Sequence, residues 1–157
     1  MAIAITLEQY LADSGVDYET LTHPRAVSSS QTAQASHIPG GRLAKAVLLK
    51  EGKDVYLLAV LPASHHIRLD QLREWLGRPV ELATEEEIEA LFSDCDIGAV
   101  PPIGNAYGID VVVDDSLVGD DDVYFEAGDH ATLVRVAGTT FEKLMGSARQ
   151  GQFSRNP

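Results

Sequence analysis

The apolar positions of this chain recur at two periods, near 3.6 and near 2, and the changes between them divide it into short helices and strands. Leu7, Tyr10 and Leu11 lie at helical spacing, Thr6 and Gln9 have the spacing of a capping box, and Gly15 supplies a stop. "VDYETLTH" alternates as a half-buried strand does. Ser28 to Ser36, small and polar with Ala33 and Ala35, predicts a short helix opened by a serine cap and ended by the turn "IPGGR". Two strongly apolar runs follow, "AKAVLLK" and "DVYLLAVLPA", and the "EGKD" between them predicts a hairpin.

Leu69, Leu72, Trp75 and Leu76 predict a helix closed by Gly77. "PVELA" predicts a short strand, and "TEEEIEALF" a helix whose Thr84 and Glu87 form a second capping box. "YGIDVVVDDSL", "VYFEAG" and "ATLVRVAG" read as strands, and "TTFEKLMGSAR" as a last helix with Thr139 and Glu142 as cap and box. Residues 151–157, the end of "QGQFSRNP", are expected to fray. Hairpins with interspersed helices, and no repeat or linker, predict one α+β domain over residues 1–150 and not a doubly wound parallel sheet.

Composition narrows the class. Of 157 residues, 45% are hydrophobic and 23% charged, as in ordinary soluble globular proteins. No stretch approaches the roughly 18 uncharged residues of a membrane span, and "MAIAITLEQYLADSG" lacks the basic start of a signal peptide, so a cytoplasmic protein with no membrane partner is expected. The single cysteine, Cys95, has no internal disulfide partner, and its acidic neighbours in "SDCD" disfavour a thiolate. The net charge of −12 counts against coating nucleic acid non-specifically, and against double-stranded DNA as a partner. A local basic pocket for one nucleic-acid end is compatible with it, because basic residues concentrate in the first half and acidic runs in the second.

Three features carry candidate chemistry. In "GAVPPIG", residues 98–104, two prolines fix φ while Gly98 and Gly104 open other conformations. The stretch is either a stiff connection or a rigid loop that aims the N–H groups of Gly98, Ala99, Val100, Ile103 and Gly104 at an oxygen that becomes negative in a transition state. Lys45 enters an apolar strand with alanines on either side, so it either snorkels to the surface or serves as a cation in a pocket. His130, in "EAGDH", follows a turn and is either surface decoration or part of a site. His65 and His66 are adjacent and therefore point apart, with no cysteine or carboxylate at a metal-ligand spacing, so no metal site is expected. "DDSLVGDDD" lacks the pattern of a calcium loop, and no nucleophile elbow, P-loop or dinucleotide fingerprint occurs.

Taken in order, "THPRAVSS", "AKAVLLK" followed by "LAVLPAS", "GAVPPIG", and "VDDSL…VYFEAG…LVRV" resemble the YbaK/ProX family, the trans-editing aminoacyl-tRNA deacylases related to the insertion domain of bacterial prolyl-tRNA synthetase. The resemblance covers roughly residues 3 to 146, and its most specific parts are Lys45 and the G-x-x-x-P-x-G spacing of Gly98, Pro102 and Gly104. It implies a mixed, barrel-like sheet of six or seven strands flanked by helices. It also implies hydrolysis, without metal or organic cofactor, of the ester joining a mischarged amino acid to tRNA, commonly tRNA for proline, with an aminoacyl-tRNA synthetase as a further partner. Lys45 matches the lysine needed for activity, which holds the substrate carbonyl or the phosphate of the terminal adenosine. Residues Gly98, Ala99, Val100, Pro102, Ile103 and Gly104 match the loop that lines the amino-acid pocket and offers amides to the scissile carbonyl. His130 matches a position near the pocket, and His23 and Ser28 match the early "HP…S" segment that shapes it. Ala46 stands where some alanine-editing members carry asparagine, which counts against alanine as the amino acid removed. Arg25, Arg42, Lys50 and Arg68 are the candidates for a tRNA-binding patch. The alternative, a binding or regulatory module that keeps the pocket without the chemistry, is motivated by Ala46 and the acidic surface.

Overall fold

The structure, a computed structural model, describes residues 3–24, 32–33 and 38–155. Its longest strands are the two apolar runs: β2 (Leu43–Gly52) and β3 (Val55–Pro62) form an antiparallel hairpin. The turn places Asp54 at φ 60°, a left-handed conformation that aspartate tolerates better than most residues. Both strands are apolar along most of their length because both faces of the sheet are covered.

The sheet grows from this hairpin in two directions. β3 pairs in parallel with β6 (Asp110–Asp114), and β6 with β9 (Arg149–Gly151). On the other side, β2 pairs in parallel with β7 (Val123–Glu126), which continues antiparallel through β8 (Thr132–Val136) to β1 (Glu19–Thr22). A short β5 (Glu81–Leu82) also pairs with β2, giving eight strands where six or seven are expected. A separate two-stranded sheet joins β4 (His66–Ile67) to β10 (Ser154–Arg155).

Four helices whose bounds fall among the described residues flank the sheet: α1 (Ile5–Ser14), α2 (Leu69–Leu76), α3 (Glu85–Leu91) and α4 (Gly138–Met145). Alternation along each strand sorts side chains between two cores. Ala44, Leu48, Val60, Val113, Phe125 and Val134 enter the main core with Leu7 and Leu11 of α1 and Phe141 of α4. Leu49, Leu57, Leu61 and Val112 face the other way, against Leu72 of α2 and Phe153. Leu43 and Leu133 extend that second face beside Ala33.

Helix starts divide the expectations. Thr84 and Glu87 make both bonds of the capping box, at 2.9 and 3.2 Å. Thr6 makes none: α1 begins one residue earlier, and the Thr6 N–H is satisfied by Asp94 Oδ2 at 2.9 Å, 88 residues away. Thr139 likewise lies inside α4, which begins at Gly138 after Ala137 and has no side-chain cap. The expected frayed tail is ordered through Arg155. Phe153 is fully buried and stacks on Trp75 with ring centroids 6.1 Å apart, because the second core takes its ring in among Leu61, Leu72 and Val112. The helix expected over Ser28 to Ser36 falls largely outside the described residues; Thr32 and Ala33 are helical.

Candidate functional site

The pairing of β2 is interrupted on one side. Its register with β7 ends at Ala44–Phe125, and its register with β5 begins at Leu49–Leu82. Between them, Lys45, Ala46 and Val47 pair only with β3, so backbone polar groups on the opposite side of this segment meet no strand. A cavity of about 280 Å³ occupies this gap, lined by Ala46, Leu48, Leu82, Ile88, Gly98 and Val100. Apart from Glu85 at its edge, the lining side chains are aliphatic.

Lys45 and Ala46 leave β2 on opposite faces. Ala46 packs toward the main core, whereas Lys45 shares the second face with its cross-strand partner Leu61. Lys45 Nζ donates to the main-chain carbonyl of His65 at 2.7 Å. Burial lowers its pKa from the ordinary lysine value. His65 is anchored in turn, its Nδ1 lying 2.8 Å from Ser154 Oγ, while that hydroxyl donates to Asp114 Oδ2 at 2.7 Å. The carboxylate can only accept, so the Ser154 hydrogen goes to Asp114 and His65 Nδ1–H donates to Ser154. Burial alone would raise the Asp114 pKa, but hydrogen bonds from Ser116, Ser154 and the Phe153 N–H outweigh it and hold the carboxyl ionised.

The loop at 98–104 divides into a rim and a base. Gly98 is exposed at φ 88°, Val100 is half-buried, and both line the cavity. Pro102, Ile103 and Gly104 are buried beneath them, and a Cβ on Gly104 would come 2.6 Å from the Ile109 carbonyl oxygen, so that glycine serves the packing of the loop on β6. Ala99 corrects the sequence reading of five available amides: its N–H is committed to the Asp96 carbonyl at 3.1 Å. The Gly98 and Val100 amides face no acceptor among the described residues.

His130 joins this loop to the strands. It is 7% exposed, adopts φ 51°, and places Nε2 2.6 Å from the Ile97 carbonyl, immediately before Gly98. A carbonyl only accepts, so Nε2 carries the hydrogen and, in the neutral ring, Nδ1 is a bare acceptor; it is buried without a partner. His23, 8% exposed, donates from Nδ1 to the Pro24 carbonyl at 2.7 Å, and its N–H bonds to Ala131 O beside His130. Glu126 is the residue that sequence reasoning overlooks. It lies at the end of β7, 3% exposed, and burial pushes its carboxyl up to about 7. The available signal was a single glutamate in the apolar run "VYFEAG", on the face opposite Phe125.

Three of the four candidates for a tRNA-binding patch, Arg42, Lys50 and Arg68, lie among the described residues. Arg42 spends its guanidinium on the carbonyls of Asp122, Ser116 and Asp121, at 3.1, 3.3 and 3.0 Å, fastening the start of β2 to the loop before β7. Lys50 pairs with Glu87 at 2.8 Å, the largest contribution holding that carboxyl down at about 2. Arg42 and Lys50 flank opposite ends of β2, roughly 25 Å apart at the rise of a strand. Arg68 is partly exposed beside Asp70 at 3.8 Å. Arg25 and Ser28 lie outside the described residues. Burial pushes the Cys95 thiol up to about 12, with Tyr107 and Asp94 against it. No three His, Cys, Asp or Glu side chains among the described residues are placed to hold a metal ion, and no described helix is long and apolar enough to cross a membrane.

Two solved structures share this fold over nearly the whole chain. Hypothetical protein APE2540 superposes with a TM-score of 0.83 at 21% identity, covering 96% of this chain and 99% of its own. A protein provisionally described as a trans-editing enzyme for prolyl tRNA synthetase also gives 0.83, at 23% identity, with 97% and 96% covered. No curated protein matches the sequence. The model of the aminoacyl-tRNA editing domain matches residues 23–144, the span from His23 through the gap in β2 and the 98–104 loop into α4, and the chain therefore belongs to the aminoacyl-tRNA editing domain family.

Proposed function

We propose that the protein is a cytoplasmic deacylase that acts in trans on tRNA for proline carrying a small non-cognate amino acid. The observation that carries this reading is the interrupted pairing of β2, which sets an aliphatic cavity, two unpaired loop amides and Lys45 around one short segment. The amino-acid side chain enters the cavity beside Ala46, and its ester carbonyl meets the open edge of β2 and the amides of Gly98 and Val100. Lys45, released from the His65 carbonyl, holds the carbonyl oxygen or the phosphate of the terminal adenosine. Water adds to the ester carbon, the oxyanion is held by the amides, and the bond to the ribose oxygen breaks, leaving free amino acid and a tRNA hydroxyl. An aminoacyl ester is already activated, so positioning and oxyanion stabilisation suffice without a protein nucleophile or metal. His130 keeps the loop in place through Ile97, and His23 borders it. A synthetase that mischarges the tRNA is the natural partner for capture of its product.

The deciding experiment is single-turnover deacylation of tRNA for proline charged in turn with alanine, cysteine, serine and 2-aminobutyrate. Wild type should release at least one of them, and Lys45→Ala should be slower by about 10²-fold or more. A folded wild type that binds an aminoacyl-adenosine analogue but hydrolyses none of the panel would overturn the reading in favour of a binding module.

A further inference from the structure

The second face of the sheet holds a set of buried polar side-chain atoms, most of them acceptors, that make no hydrogen bond within ordinary geometry. Both carboxylate oxygens of Glu126 are buried without a hydrogen-bond partner, as are His130 Nδ1 and Thr32 Oγ1. The Thr32 hydroxyl and the His130 ring lie near enough to Glu126 to favour its ionised form, while burial, the dominant influence, and the Asp129 charge oppose it. His23 Nε2 is a further buried acceptor on this face, since β1 and β8 run in register from Leu21–Leu133 toward it. A carboxylate buried at this depth with both oxygens lacking a well-formed hydrogen bond is costly, and proteins retain such a group where something else supplies the missing hydrogens.

Position says where that donor comes from. Ala44 and Phe125 are the last registered pair of β2 and β7, and both point into the main core. The next residues, Lys45 and Glu126, therefore both turn to the second face, on the two sides of the point where the strands part. Lys45 does not neutralise Glu126, because its Nζ is directed to the His65 carbonyl. His130, through Ile97, ties the same acceptors to the loop that lines the amino-acid cavity.

We infer that Glu126 and His130 Nδ1 form a subsite for a primary ammonium group: the α-ammonium of the amino acid esterified to the tRNA. The inference rests on the deacylase reading of the same site. An ammonium brings three N–H donors and a positive charge, which matches a set in which a carboxylate and an imidazole nitrogen outnumber the one hydroxyl donor, Thr32. A free carboxylic acid, a phosphate or an N-acylated amine lacks that combination. The subsite places the amino acid with its ammonium at the end of β7 and its side chain in the cavity beside Ala46, so the ester carbonyl falls between them, at the gap.

The test compares 2-aminobutyryl-tRNA with 2-hydroxybutyryl-tRNA, which differ only in the α-substituent, in wild type, Glu126→Gln and His130→Asn. Asparagine accepts the left-handed backbone at 130. Binding of the two matching amide-linked adenosine analogues is measured by calorimetry alongside turnover. Wild type should favour the amino over the hydroxy form by about tenfold or more in both assays, as expected when a buried polar site loses its partner. Glu126→Gln should bring the two forms within about twofold of each other by slowing only the amino ester. An equal loss on both esters would make Glu126 a general base or a structural residue and overturn the proposal, as would no loss on either. Turnover without amino-over-hydroxy discrimination sinks the subsite alone. Discrimination in binding without any turnover sinks the deacylase and leaves the subsite standing.

Discussion

Lys45 Nζ donates to the carbonyl of His65 at 2.7 Å, and the position of that carbonyl is set from the far end of the chain through Ser154 and Asp114. Ser154→Ala removes the acceptor of His65 Nδ1 while leaving Asp114 its bonds from Ser116 and the Phe153 N–H. Ser154 is thus a positioning residue. Its loss should slow single-turnover deacylation severalfold, well short of the effect of Lys45→Ala, and cost about 1 kcal/mol of stability. Equal rates in Ser154→Ala and wild type would show that the His65 carbonyl needs no such support.

The aliphatic lining of the cavity beside Ala46 sets an order among substrates. A 2-aminobutyryl ester should be hydrolysed faster than a seryl ester of similar size, within the roughly 10²-fold that a hydroxyl in an apolar pocket can impose. Ala46→Leu should fill the space and abolish the larger side chain first. Comparing rates across the charged-tRNA panel checks both, and unchanged selectivity in Ala46→Leu would move the amino-acid pocket elsewhere.

Glu126 makes stability depend on pH with a definite sign. Its folded pKa, about 7, lies above the ordinary value of 4.5, so the folded chain keeps a proton that the unfolded chain releases. The carboxyl is therefore costless below the unfolded value, becomes destabilising as pH rises through the interval, and reaches its full cost, roughly 3 kcal/mol, above the folded value. Glu126→Gln should raise the thermal midpoint by about 5–10 °C at pH 8.5 and hardly at all at pH 4.5. Parallel pH profiles for the two proteins would contradict a buried unpaired carboxylate.

Phe153 is fully buried, stacked on Trp75, and its carbonyl accepts the Arg68 N–H at 2.7 Å. Phe153→Ala should cost about 3–5 kcal/mol in denaturant unfolding. Truncation after Gly151 should also lower deacylation, because Ser154 leaves with the tail. A truncated protein of wild-type stability would restore the expectation of a frayed end.

What was legible in the sequence was what neighbours in the chain decide. The β2–β3 hairpin, the α3 capping box of Thr84 and Glu87, and the Gly15 and Gly77 helix stops depend on contacts within a few residues, so local spacing sufficed. Lys45 and the 98–104 loop stood out because a lysine in an apolar run and a proline pair between glycines conflict with their surroundings in the sequence itself. Tertiary structure decided the rest. Thr6 looked like a cap until Asp94 arrived from 88 residues away, and Phe153 looked like a loose end until the second core left it a slot. Ala99 lost its place among the available amides to a turn bond with Asp96. Glu126 read as an ordinary strand position because alternation tells which residues share a face, not which faces are buried or what donors meet them there. The gap in β2 has no local signature at all. It exists because two strands from different parts of the chain, β7 and β5, pair with the same edge and stop short of each other, and strand pairing between distant segments is settled only when the chain has folded.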